Sequence, residues 1–145
     1  MKKIIIFLFI PILSLAHPTF EKVDMMSLSA ASGRVYLIDF GEVTVNGGFL
    51  RRVTVGEEKA TVTFYNRHSV NKKPNFTFEV YNHYGMRIGK FNTSWWLDTL
   101  APGDTKSDNP TFTNPEWMEI FRYTDCRIPN DVNKPVYLII SGSEK

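Results

Sequence analysis

From Arg34 onward, apolar and polar residues alternate with a period of two, as in strands that bury one face and wet the other. Ala60, Val62 and Phe64 fall on one side of Ala60–Tyr65, with Thr61 and Thr63 on the other. Asn75–Tyr81 repeats the scheme, with Phe76, Phe78 and Val80 inward and Thr77 and Glu79 outward. Asn82-His83-Tyr84-Gly85 then turns the chain into Met86–Phe91, Gly85 suiting a left-handed position, which predicts a hairpin over 76–91. Arg34–Phe40 reads as a strongly apolar strand. Val43–Asn46 and Phe49–Val55 flank Asn46-Gly47-Gly48, a tight-hairpin sequence. Trp95–Leu100 reads as a short strand stopped by Ala101-Pro102-Gly103-Asp104, and Val136–Ser141 as a final buried strand.

Asn109–Pro115 and Pro129–Pro135 read as loops. Asn114-Pro115-Glu116 has the cap and first-turn proline of a helix start, and Trp117, Ile120 and Phe121 follow at helical spacing. One short helix near 115–122 is therefore expected. Short strands separated by turn signals predict an all-β fold, a sandwich of two antiparallel sheets over 34–145, with a small barrel as the alternative.

The first residues follow a different pattern. Met1-Lys2-Lys3 precedes an apolar run from Ile4 to Leu15, closed by Ala16. A basic end, a short apolar segment and the small residues Ser14 and Ala16 form an export signal over 1–16, cut between Ala16 and His17. Pro18 is the feature that would shift the cut by a residue or two. As a helix the run spans roughly 18 Å, short of the ~30 Å hydrocarbon core, so no stable membrane span is expected after cleavage; an uncleaved anchor is the alternative. No cysteine follows the run to carry a lipid. Residues 17–33 lack periodicity and read as an extended lead-in, with a candidate edge strand near Phe20–Val23.

One stretch resembles a known family. Phe76-Thr77-Phe78-Glu79-Val80-Tyr81-Asn82-His83-Tyr84-Gly85-Met86-Arg87-Ile88-Gly89-Lys90, followed by Leu100-Ala101-Pro102-Gly103-Asp104-Thr105, is similar to the bacterial exported immunoglobulin-like domains of the FxLYD type. Those have an aromatic-Asp-x-x-Gly hairpin and then Leu-x-Pro-Gly-Glu/Asp-Thr. The chain departs from them at Asn82, where Asp is usual. The resemblance implies a sandwich module of the cell envelope that acts in interactions without catalysis, and it transfers no site residues.

Composition narrows the classes. The chain holds 17 Lys+Arg against 15 Asp+Glu, a formal charge of +2. Removing 1–16 removes Lys2 and Lys3 and brings the charge to zero, which leaves no basic field for nucleic acid. Arg51-Arg52 and Lys72-Lys73 read as isolated, solvated pairs. Cys126 is the only cysteine, so packing alone must hold the fold. Its bland reading is a small buried hydrophobe, with an intermolecular disulfide next and a thiol nucleophile last.

No local catalytic signature occurs: neither Gly-x-Ser-x-Gly nor His-Glu-x-x-His, and Glu57-Glu58 beside Lys59 reads as a solvated turn. The expectation is a non-enzymatic module, without cofactor, exported to the periplasm or secreted, that binds a protein or glycan of the bacterial cell envelope. The candidate contact residues are Trp95, Trp96 and Tyr84. The bland reading buries both tryptophans under a neighbouring loop; an exposed one beside Asp98 would stack on a sugar or a partner surface. Tyr81, His83 and Tyr84 form a second aromatic group at a hairpin tip. The alternative class is a copper protein, in which the α-amine and imidazole of an N-terminal His17, with His68 or His83, supply nitrogen ligands suited to Cu(II). A secreted effector or toxin accessory is a third class. The oligomeric state is left open.

Overall fold

A computed structural model describes residues 20–27, 33–45, 48–56, 59–93, 98–112 and 128–144. Eight strands form two antiparallel four-stranded sheets. In the first, β1 (Arg34–Leu37), β8 (Tyr137–Glu144), β5 (Pro74–Tyr81) and β6 (Arg87–Asn92) lie side by side in that order. In the second the order is β2 (Glu42–Thr44), β3 (Leu50–Val55), β4 (Ala60–Tyr65) and β7 (Thr105–Asp108). The sheets are separate and share one buried cluster, with Val53, Val62 and Phe64 from one and Phe78, Val80 and Leu138 from the other. The fold is a β-sandwich, not a barrel.

The chain crosses between sheets from β4 to β5 and again from β7 to β8, while β4 pairs with β7 and β5 with β8. These interlocked pairs have the arrangement of strands B and E, and C and F, in the immunoglobulin sandwich. The edge position beside β8, filled there by the last strand, is filled here by β1, the first.

Alternation determines which residues face inward. Along β4 and β5, Ala60, Val62, Phe64, Phe76, Phe78 and Val80 are all buried, as the period of two requires. Their rings continue one another. Phe49 meets Phe64 at 5.7 Å between centroids, Phe64 meets Phe76 at 5.9 Å, and Phe76 meets Phe78 at 6.2 Å. Phe91 stacks on Phe78 at 4.7 Å and Phe112 on Phe91 at 5.2 Å. Each such pair contributes roughly 0.5–1.5 kcal/mol beyond area burial.

Several sequence expectations are corrected. Residues 20–24 form no strand; the lead-in instead makes one 3-10 turn, Met25–Ser27, that plugs Met25 against Val136, Tyr137 and Ile139. The cause is the apolar outer face of the first sheet, where Val35 and Tyr81 also need cover. Tyr137-Leu138-Ile139-Ile140 signals it, since an unbroken apolar run belongs to a strand covered on both faces. Strand β1 stops at Leu37 rather than Phe40, because the chain turns there toward the second sheet. Strand β7 falls between the expected turn 101–104 and the expected loop 109–115, where no element is predicted; as a polar edge strand it carries no apolar alternation. The expected helix at 115–122 lies outside the described residues, as do residues 95–97 of the expected strand Trp95–Leu100; residues 98 and 99 form no strand. Leu100 itself makes an isolated bridge with Lys72.

Two fully buried asparagines close the strand ends. Asn66 follows β4 and donates through Nδ2 to the carbonyls of Val70 (2.9 Å) and Leu100 (2.8 Å), while its Oδ1 accepts from the His68 amide (2.9 Å). Asn82 follows β5. Its Oδ1 accepts from the amides of Tyr84 (2.9 Å) and Met86 (3.0 Å), and its Nδ2 donates to the Val132 carbonyl at 2.8 Å. That last bond needs a donor, and an ionised carboxylate at position 82 would set oxygen against oxygen. Asn82→Asp should therefore cost about 2–4 kcal/mol at neutral pH. Urea unfolding checks it, and the loss should shrink in acid, where a protonated carboxyl can donate again.

Candidate functional site

The solvent face of the second sheet carries a shallow, open depression of about 570 Å³, lined by Thr44, Arg51, Arg52, Thr63, Tyr65 and Thr105. A β-bulge builds it. The β3–β4 pairing steps from Leu50↔Phe64 to Arg52↔Thr63, so Arg51 is the extra residue and both arginines point into solvent. The register then sets Thr44, Arg52, Thr63 and Ser107 in one row across all four strands. Thr63 Oγ1 and Ser107 Oγ lie 3.3 Å apart. Beside this row, the Arg51 guanidinium sits over the Tyr65 ring, 4.6 Å from its centroid. The only ion pair among the described residues joins Arg87 to Glu79 at 3.2 Å on the other sheet, so Arg51 and Arg52 face solvent without a carboxylate. Sequence reading took them for ordinary surface charges. The signal was there in Leu50-Arg51-Arg52-Val53, where two polar residues in succession interrupt an alternating strand.

A second feature stands at the end of β1. Asp39 and Glu42 exchange backbone hydrogen bonds, each 2.9 Å, around a two-residue turn of Phe40 and Gly41. Both turn residues have positive φ, 48° and 76°, as a type I′ hairpin turn demands. Gly41 adopts this freely, but for phenylalanine the left-handed region costs about 1–2 kcal/mol. The side chain recovers nothing within the fold, being 99% exposed. Strain and exposure coincide at one large apolar residue.

Of the residues proposed from sequence, Trp95, Trp96, His17 and Cys126 lie outside the described residues. Tyr84 is half-buried in the β5–β6 turn. Its hydroxyl donates to Asp131 Oδ1 at 2.6 Å, and its ring meets Phe20 edge-on at 5.5 Å. The expected aromatic group is thus engaged within the fold. The Tyr81 hydroxyl donates to Glu79 at 3.2 Å, and His83 meets the Tyr137 ring at 6.5 Å. His68 and His83 stand at opposite ends of β5, so no single ion takes both. Among the described residues, no three His, Cys, Asp or Glu side chains gather to hold a metal, and no helix is long and apolar enough to cross a membrane.

The hydrogen bond between Tyr84 and Asp131 holds the Asp131 carboxyl below its ordinary range and the Tyr84 phenol above its own. Burial, followed by the Glu79 charge and hydrogen bond, raises Tyr81 in the same direction. For Asp131, the depressed folded value means stability present above the ordinary carboxylate range and lost as pH falls through the lowered value. For Tyr84, the raised value means stability present below about 10 and lost as pH rises past it. Thermal melts of Tyr84→Phe across pH should show a gap from the native protein that is flat between about 5 and 9 and closes at both extremes. A gap that persists in acid would contradict the assignment.

Comparison with family models, with characterised proteins and with solved structures found no match to this chain.

Proposed function

We propose that the chain is a non-enzymatic binding module exported to the bacterial cell envelope, with Phe40 as its apolar anchor in a protein partner. The observation that carries this reading is the turn itself. Asn or Gly at position 40 would relieve the left-handed strain, and either would remove an apolar side chain from water. A residue that costs stability in two ways and makes no contact within the fold is explained by a contact outside it. The flanking Asp39 and Glu42, both exposed, suit an apolar socket rimmed by basic groups. The run of residues 1–16 supports export to the periplasm or beyond, and the FxLYD-like hairpin supports an interaction role.

The decisive variant is Phe40→Asn. It should raise stability by about 1 kcal/mol, a few degrees in Tm, because Asn accepts the left-handed turn. The same variant should lose partner recovery from envelope fractions of the native host, whereas the native protein retains it. A variant that binds as well as the native chain would remove Phe40 from the interface. Mass spectrometry of the exported protein checks the compartment, with an N-terminus at or next to His17 expected.

A further inference from the structure

We infer that the depression on the second sheet is a binding site for an acidic saccharide, whose carboxylate is taken by Arg51 and Arg52 and whose hydroxyls are taken by the threonines around them. Phe40 is not among the residues that line this depression, and the site does not depend on the protein-anchoring role of that residue.

Charge comes first. Two guanidinium groups stand together because the bulge aims consecutive residues the same way, and no described carboxylate forms an ion pair with either. Glu42 on β2 sits opposite Thr54, while Arg52 sits opposite Thr44, one outward position further along β2. An anion from outside therefore meets no internal competitor in contact. Guanidinium favours an oxyanion with two acceptors in one plane, which a carboxylate provides. With Arg51 stacked on Tyr65, part of the ordering cost of that cation is already met in the free protein.

The lining separates the ligand classes. Apart from the two arginines and the Tyr65 ring, it consists of the threonines Thr44, Thr63 and Thr105. No aliphatic side chain offers a pocket to an acyl chain or to the apolar residues of a peptide. Hydroxyls that both donate and accept, placed on β2, β4 and β7, instead match a ligand that is itself covered with hydroxyls. The depression is also open rather than a closed cleft, which suits a chain lying across the sheet more than a small molecule enclosed on all sides. Negative charge and dense hydroxyls together specify a uronate-type saccharide.

The test is a titration of the isotopically labelled protein with a galacturonate oligomer at low salt, followed by NMR. Two controls use a neutral galactose oligomer of equal length and inorganic phosphate. The expected result is saturable shifts at Arg51, Arg52, Thr44 and Thr63, with no binding of the neutral oligomer and phosphate at least about tenfold weaker. Arg51→Ala and Arg52→Ala, both at exposed positions and expected to melt with the native protein, should each weaken the uronate about tenfold or more. Arg52→Lys should fall between, since it keeps charge but loses the fork. Thr63→Val should weaken the oligomer and leave phosphate unchanged. Equal binding of the neutral oligomer would overturn the charge requirement. Phosphate as tight as the oligomer would reduce the site to one for a bare anion. Shifts located elsewhere, or arginine variants that bind normally, would overturn the site itself. None of these outcomes bears on Phe40, whose variant should leave the titration unchanged.

Discussion

Between the two sheets, the rings of Phe49, Phe64, Phe76, Phe78, Phe91 and Phe112 touch in succession, from β3 and β4 across to β5 and β6 and out to the segment beyond β7. With a single cysteine the chain cannot tie its sheets together by an internal disulfide. The aromatic succession takes that role. It joins the sheets at β4 and β5, which carry the crossing, and those are also the inner strands against which β7 and β8 lock. Edge strands can then be short and polar. Strand β7 has only four residues, all polar, yet it pairs in register with β4, whose inward side chains are buried.

Packing of this kind is non-directional and leaves the strand ends undetermined. Asn66 and Asn82 supply direction. Each sits one residue past an inner strand, accepts from the amide two residues on, and donates across to a distant carbonyl. Buried amides in such positions are expensive when unpaired, so they select one path for the chain where apolar contacts alone would accept several. The two devices divide the work: phenylalanines set the separation of the sheets, and asparagines set the turns.

That division explains what could be read in the sequence. The strands around Phe64 and Phe78, the hairpin at Gly85 and the sandwich class follow from alternation and turn residues, because burial on one face imposes a period that survives in the primary structure. Strand β7 was hidden, since Thr105-Lys106-Ser107-Asp108 takes its conformation from its neighbour and not from its own pattern. The lead-in was hidden for a related reason: Met25 is placed by the apolar outer face of a strand more than one hundred residues away. The candidate sites were legible only as defects. Arg51-Arg52 breaks the alternation of β3 and Phe40 breaks the chemistry of its turn; both depart from local rules in favour of something the fold does not need.

The same rigidity gives those departures their meaning. A strained residue persists only where its surroundings fix it, and the Asp39–Glu42 backbone pair together with the hydrogen bond from Val55 to the Gly41 carbonyl (2.7 Å) leaves position 40 little freedom. A bulge directs two arginines outward only if the strand beneath it does not yield, and Val53 and Val62 under that face are fully buried. The two proposed recognition sites are thus a turn and a sheet face that a packed interior holds in place. The most direct test is an NMR measurement on the free protein: the backbone coupling at Phe40 together with relaxation of its ring by a soluble paramagnetic agent. A left-handed φ and strong relaxation of the ring are predicted. An extended φ with a ring protected from the agent would mean that Phe40 is neither strained nor presented, and the account of its role would fail.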